Sequence, residues 1–426
     1  MARDGKLGFF SVTAIGVGGM VGGGIFAVLG LAVKLAHGAT PIAFAVGGVI
    51  ALMTGFSYAR LSVRYPSRGG TVVFLDRVFG VDLITASLNS LLWASYVVML
   101  ALYAFAFGSY GSTFAGGEHT LVLHLLITVG IVAPTALNML DAELIGRVET
   151  YIVAVKITVL VGFVAIGATG VDSARLAPAT WSPLSQIVAG GMIIFVAFEG
   201  FELIANSAED ARDATIVPRA LYASIGGVLL LYIAISAVAV GSLPVPKIVE
   251  AEEYALAAAA QPVLGHAGFV AISVAALLST LSAINATLYG AARLSYTIAR
   301  EGELPSVLEH NVGHKPLEGL LITSVLAVAL ANLGDLSSIS TMGSAGFLLI
   351  FATVNAANAR RSDEKTAARI VSAIACLGCA GALTVLIVYA ADEAPSSLWL
   401  LAVLLGVPVM VEVIFRAAGR DRLKMW

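Results

Sequence analysis

The stretch GVGGMVGGGIF, residues 16–26, holds six glycines in eleven positions near the start of a long apolar run. Each glycine in a helix costs about 1 kcal/mol relative to alanine, so an unbroken span gains nothing from Gly22, Gly23 and Gly24 in succession. Two readings account for them. Small residues let helices approach closely in a membrane. Alternatively, glycines near mid-membrane let the helix unwind, baring carbonyls of the preceding half and N–H groups of the following one. Those groups, with the half-helix dipole, suit a carboxylate lying beside an ammonium.

Composition identifies the solvent. The 426 residues are 59% hydrophobic and 12% charged, whereas soluble domains are roughly 45–50% apolar and about 25% charged. So sparse a surface charge does not keep soluble domains in solution. A net charge of −3, with no basic run interleaved with aromatics, argues against a nucleic-acid partner. Arg3 and Lys6 precede the first apolar run as they would in a signal peptide. That run continues for about 28 residues, beyond a signal's 7–15, and reads as a retained span.

Apolar runs recur at about 8–35, 39–63, 82–111, 120–139, 148–170, 184–207, 219–243, 266–298, 317–333, 338–357, 369–391 and 396–416. Only helices and closed barrels satisfy backbone groups in lipid, and these runs are continuous rather than alternating. The expectation is an all-α integral membrane protein with 12 transmembrane helices in the cytoplasmic membrane. Lys34, Arg175 and Lys247 fall outside and Lys156 within a span, while the other Lys and Arg, among them Arg60, Arg64, Arg68, Arg360 and Arg361, lie on one side. The positive-inside rule therefore places both termini in the cytoplasm. Residues 250–260, EAEEYALAAAA, read as a short extracellular helix.

A glycine break has a counterpart in transporters built from inverted repeats, at the matching span of the second repeat. In a five-helix unit that is span six, where FVAFEGFELIANSAED, residues 195–210, sets Gly200 between aromatics with Glu199 and Glu202 in the apolar region. Glu199 lies ten residues from Glu209, roughly 15 Å along a helix.

These residues carry a resemblance. GGMVGGGIF, Gly18 to Phe26, resembles the first-span signature of the amino acid–polyamine–organocation superfamily. YARLSVRYPSRGG, Tyr58 to Gly70, is similar to that family's second-span end and loop, with Pro66, Gly69 and Gly70 in place but Arg60 where many members carry an acid. FEGFE resembles the span-six motif, and ARLSYTIAREGELP, Ala292 to Pro305, the end of span eight; the tract after span six lacks the common Asn-Pro but keeps Pro218-Arg219. The resemblance covers spans one to ten. It implies the leucine-transporter fold with a 5+5 inverted repeat: residues 1–170 and 184–357, broken helices 1 and 6, and two additional helices over 369–416. It also implies that a substrate carboxylate meets backbone amides around Gly22, Gly23 and Gly24. The ammonium then faces carbonyls near Gly19, Met20 and the Phe195–Phe198 turn.

Lys156 lies nine residues past Arg147, about 13 Å into a hydrocarbon layer roughly 30 Å thick. It is too deep to snorkel, and either pairs permanently with a carboxylate or serves function. Some proton-coupled members of the resembling family carry a span-five lysine where sodium-coupled relatives hold a cation between spans one and eight. Lys156 matches that position; a protonated ammonium can replace a bound metal ion, so its protonation and deprotonation, coupled to movement of the first span, are expected to drive sodium-independent proton symport. Glu202 matches the family's acid after the span-six glycine, implying gating or proton sensing; hydrogen bonding to a neighbouring helix is the bland alternative. Glu199 meets the substrate ammonium, carries a proton, or pairs with Lys156. Ser279, Ser282 and Asn285 share about one helix face, as a vestigial cation site or as interhelical hydrogen-bond donors. Phe198 and Phe201 form a lid over the substrate or pack in the core, and Tyr96 and Asn89 are weaker candidates.

The expected function is a secondary active transporter importing amino acids by sodium-independent proton symport and alternating access. The alternative, an exchanger of amino acids or polyamines with cationic substrates, is favoured by Glu199 and disfavoured by Lys156. The expected partners are the amino acid substrate, protons and the lipid bilayer; no obligatory protein partner is evident. No phosphate-binding loop or nucleophile–base constellation is present, so the chain does not read as an enzyme and no cofactor is implied. Cys376 and Cys379 form a C-x-x-C inside an apolar stretch and read as helix packing. Histidines at 37, 119, 124, 266, 310 and 314 fall in loops or near span ends and suggest no metal.

Overall fold

In hydrocarbon every backbone polar group needs a partner within the protein, and this chain meets that demand with helices. A computed structural model describes residues 7–115, 120–140, 143–300, 317–393 and 395–417. His119, His310 and His314 lie outside the described residues. Among the described residues, ten helical stretches are long and apolar enough to cross a membrane, and eleven if one bent pair counts as a span. The run expected at 317–333 forms an apolar helix of 17 residues, Leu317–Leu333, shorter than those ten.

The bent pair is the glycine-rich stretch. Helix α1, Phe9–Met20, and helix α2, Gly24–Ala36, meet at 47° across residues 21–23. Helix α3, Thr40–Arg64, has Pro41 in its first turn and stops before Pro66, because the residue preceding a proline disfavours helical backbone. After the short α4, Thr71–Phe79, the long α5, Leu83–Ser112, starts on Asp82, whose carboxylate accepts the N–H groups of Ile84 and Thr85 at 2.9 Å each. Helices α6, Thr120–Leu140, and α7, Glu143–Gly167, follow.

The second interruption falls where Gly200 directs it. Helix α8, Leu184–Ile193, tightens into a 3₁₀ turn over Ile194–Phe198. The chain is extended at Glu199 and left-handed at Gly200, and a second 3₁₀ stretch runs over Phe201–Ser207. Helix α9, Ile216–Ser242, and the short α10, Val245–Glu250, lead to α11, Ala255–Arg300, which bends sharply at Gly265. The helix expected over 250–260 is thus composite: the end of α10, a 3₁₀ turn over Glu252–Tyr254, and the outer arm of α11. Helices α12, Leu317–Leu333, α13, Leu336–Arg360, α14, Thr366–Glu393, and α15, Pro395–Ala417, complete the chain.

Burial separates inner from outer elements. The broken stretch Leu184–Ser207 is 89% buried over its apolar window, and α5 and α13 are nearly as enclosed. Helices α6, α14 and α15 bury about a third or less, and exposed side chains such as Leu125, Leu377 and Met410 form their outward faces. Cys379 packs α14 inward, with its sulfur 3.5 Å from both Thr54 Oγ1 and Asn355 Nδ2. Arg60 reaches Glu364 at 3.8 Å, beyond the end of α13.

Candidate functional site

The two interruptions touch at their glycines. Gly200 has φ +111°, and a Cβ there would lie 2.6 Å from the Gly19 carbonyl carbon and 2.7 Å from Met20 N. A Cβ on Gly19 would lie 3.0 Å from Gly200 O. Only glycine supplies both the left-handed backbone and this approach of main chain to main chain.

Unwinding frees carbonyls, and neighbouring helices supply the missing donors. Tyr232 of α9 donates its hydroxyl to Met20 O at 2.7 Å and Ala197 O at 3.2 Å, joining the two interruptions. Ser279 of α11 donates to Val21 O at 2.8 Å and also to Gly22 O. Ser340 and Ser344 of α13 both reach Ile193 O at 2.8 Å, and Ser344 accepts Val196 N–H at 3.1 Å. Lys156 of α7, fully buried, donates its ammonium to Gly18 O at 3.0 Å.

A cavity of about 350 Å³ lies on the α1 side of the contact, with Gly18, Gly19, Tyr103, Glu199 and Gly200 on its inner wall. Ile15, Leu203 and Tyr289 line its outer part, and Ile15 and Tyr289 are partly exposed, so it reaches the surface. Asn138 and Asn285 also line it and bond to each other across α6 and α11 at 2.7 Å. Among the described residues, Glu199 is the only acid lining it. Its carboxyl accepts the Tyr103 hydroxyl at 3.1 Å and lies within hydrogen-bonding reach of Glu202. Glu202 sits behind it, accepting Gly200 N–H at 2.8 Å and the Tyr96 hydroxyl at 3.3 Å.

Comparison with known proteins matches the amino acid permease family over residues 7–408. The chain belongs to the amino acid permease family. This permease is 36% identical over 352 residues to an uncharacterized protein of Methanocaldococcus jannaschii, covering 82% of this chain and 81% of that one. It is 34% identical to the inner membrane transport protein YbaT of Escherichia coli, covering 82% of each chain. A more distant relative is the branched-chain amino acid permease BcaP of Bacillus subtilis, 24% identical over 83% of this chain and 80% of that one. The resemblance read in the sequence is borne out: this is a multi-pass membrane transport protein of an amino acid permease family, not an enzyme.

Of the residues singled out in the sequence, Gly19 and Glu199 reach the cavity of the permease, together with Gly18 and Gly200. Gly22 N–H is bonded to Gly19 O at 3.1 Å, and the Tyr103 ring packs on Gly23, between the cavity and the first turn of α2. Gly24 packs on Ala197 of the second interruption. Met20 carries the Tyr232 bond. Phe195, Phe198 and Phe201 are fully buried away from the cavity lining: Phe195 and Phe201 lie against Phe351, and Phe198 against Tyr232 at 5.3 Å. Ser279 and Asn285 contact the first interruption and the cavity respectively, and Ser282 is buried beside them. Asn89 donates to Asp76 at 3.1 Å. Sequence reasoning missed Tyr103, Tyr232, Ser340 and Ser344. Their signal was a hydroxyl inside an apolar run, which does not say which backbone group it serves.

Proposed function

We propose that this permease is a secondary active transporter that imports amino acids across the cytoplasmic membrane by sodium-independent proton symport and alternating access. The observation that carries the reading is the Lys156 ammonium on Gly18 O at 3.0 Å, fully buried beside the first interruption. There it supplies the positive charge that, by the family resemblance, sodium-coupled relatives take from a metal ion. Lys156 and Glu202 are the coupling residues in this reading. The substrate ammonium meets the Gly19 region and Glu199, and its carboxylate meets the first-turn amides of α2, reached when Tyr103 moves off Gly23.

The same reading takes the chain as twelve spans in two inverted five-helix units, 1–170 and 184–357, followed by two helices over 369–416. Support comes from the interruptions at residues 21–23 and 199–200, each in the first span of its unit. With both termini cytoplasmic, as the basic residues favour, the cavity lies on the cytoplasmic side. Its partly exposed outer residues then mark an inward-facing stage of the cycle.

The test is uptake of labelled amino acids into empty proteoliposomes under an inward proton gradient, without sodium. Accumulation abolished by a protonophore is expected; accumulation indifferent to it sinks symport. A second reading, exchange of cationic amino acids or polyamines, is favoured by Glu199 as an acid on the cavity wall. It predicts uptake only into preloaded vesicles, with competition from lysine, arginine and diamines.

A further inference from the structure

Two carboxyl groups, Glu199 at 4% exposure and Glu202 at 2%, are buried together at the second interruption. They lie within hydrogen-bonding reach of each other across Gly200. Two carboxylate anions have only acceptors and repel one another, whereas a carboxyl and a carboxylate hold each other through one proton. The donors around them say where that proton sits. Both oxygens of Glu202 are already accepting: Oε1 from the Tyr96 hydroxyl at 3.3 Å and Oε2 from Gly200 N–H at 2.8 Å. Glu199 receives the Tyr103 hydroxyl on Oε2 at 3.1 Å, so of the two carboxyls it is the one with an oxygen left to bear the hydrogen.

We propose that Glu199 and Glu202 are one proton-holding unit, with a single proton borne by Glu199, and that this is the proton the permease carries. The inference rests on the symport reading and deepens it by assigning the exchangeable proton. Glu202 is the fixed anion that retains the proton, and Glu199 the member on the cavity wall from which it leaves. Release breaks the Glu199 O–H bond and passes H⁺ to water in the cavity, leaving two adjacent carboxylates. Their repulsion separates Glu199 from Glu202 at Gly200, the residue on which the two interruptions rest.

The groups facing the pair fit this role. The nearby ring hydroxyls are donors rather than charges: Tyr96 and Tyr103 of α5 donate to Glu202 and Glu199, Tyr58 of α3 bonds Thr71, and Tyr232 of α9 donates to Met20 O and Ala197 O. Lys156 of α7 lies behind the Gly18 wall of the cavity, donating to Gly18 O at 3.0 Å. Cys379 of α14 approaches Tyr58 rather than the carboxyls.

The test measures lumenal acidification, with a pH-sensitive dye, together with entry of labelled substrate into proteoliposomes. In the wild type each unit of substrate brings acid with it; in Glu202→Gln the proton-to-substrate ratio is expected to fall to background. A ratio unchanged from wild type in that variant overturns the proposal. Infrared spectra of detergent-purified protein decide the matter even where a variant does not transport. At neutral pH the wild type is expected to show a protonated-carboxyl stretch that shifts in D₂O and is missing from Glu199→Gln. A spectrum identical in wild type and Glu199→Gln rejects the shared proton. If wild-type uptake brings no acid at all, the symport reading itself fails, an outcome distinct from a coupled wild type with a still-coupled Glu202→Gln.

Discussion

Gly19 and Gly200 meet backbone to backbone, with only 2.6 Å between the Gly19 carbonyl carbon and the place a Gly200 Cβ would occupy. Alanine at 200 would need a left-handed conformation and would press on main chain that cannot turn away. Such strain costs of order 1–3 kcal/mol, to which the clash adds. Gly200→Ala is therefore expected to lower the thermal midpoint in detergent and abolish uptake. Gly226→Ala, in α9 with nothing within 4 Å, is the control and should be neutral or slightly stabilising. Equal behaviour of the two variants would mean that the contact carries no weight.

Tyr232 offers one hydroxyl proton to two carbonyls, Met20 O and Ala197 O, on separate interruptions. Phenylalanine keeps the ring against Phe198 and Phe44 but leaves both buried acceptors short of a donor. Leaving a buried polar group unsatisfied costs about 1–3 kcal/mol. Tyr232→Phe should lower the thermal midpoint more than Ser224→Ala, whose hydroxyl serves carbonyls of its own helix at Ala220 and Leu221. The reverse order would show that the two interruptions are not tied through Tyr232.

Much of this site was legible because broken helices leave a chemical trace. Gly22 to Gly24 contradict helix propensity, Gly200 stands between acids that lipid does not tolerate unpaired, and Lys156 is too deep to snorkel. Each is an anomaly within its own segment. Tyr232, Tyr103 and Ser344 are not anomalies of that kind, since a lone hydroxyl in an apolar run is satisfied by its own helix as readily as by another. Tyr232 and Met20 are 212 positions apart, and nothing local links them. Phe198 and Phe201 admitted both lid and core readings, because an aromatic beside a break looks the same either way until its neighbours, Tyr232 and Phe351, are known.

The loop after α13 carries a charge cluster whose pH dependence can be separated from that of transport. Asp363 accepts from Arg361 Nη2 at 2.8 Å and Nε at 3.1 Å, and from Arg64 Nε at 2.9 Å, tying this loop to the end of α3. The Arg361 hydrogen bonds hold its carboxyl down at about 2, below the ordinary value near 4. A depressed carboxyl contributes stability that is fully present above its unfolded value and lost as pH falls through its folded one. The difference in thermal midpoint between wild type and Asp363→Asn should therefore be small and constant from pH 8 to about 5, then shrink below about 4. Any change in uptake between pH 8 and 5 must arise elsewhere; a midpoint difference that varies across that range would contradict the assignment.

Lys156 can be asked whether it moves a proton or merely holds a charge. Methionine removes the ammonium from Gly18 O and should abolish proton-driven uptake, with no rescue by sodium, since a single added methyl thioether offers no cation ligand set. Arginine keeps a positive charge and does not give up its proton in proteins, though its larger head must be accommodated beside α1. If the acid pair carries the proton and Lys156 only balances it, Lys156→Arg should support accumulation clearly above Lys156→Met, with acidification still accompanying substrate. If the lysine itself must release its proton in each cycle, the two variants should be equally dead to proton-driven uptake while still exchanging labelled for unlabelled substrate. Uptake by both at wild-type rate would remove Lys156 from the mechanism altogether, and with it the observation on which symport rests.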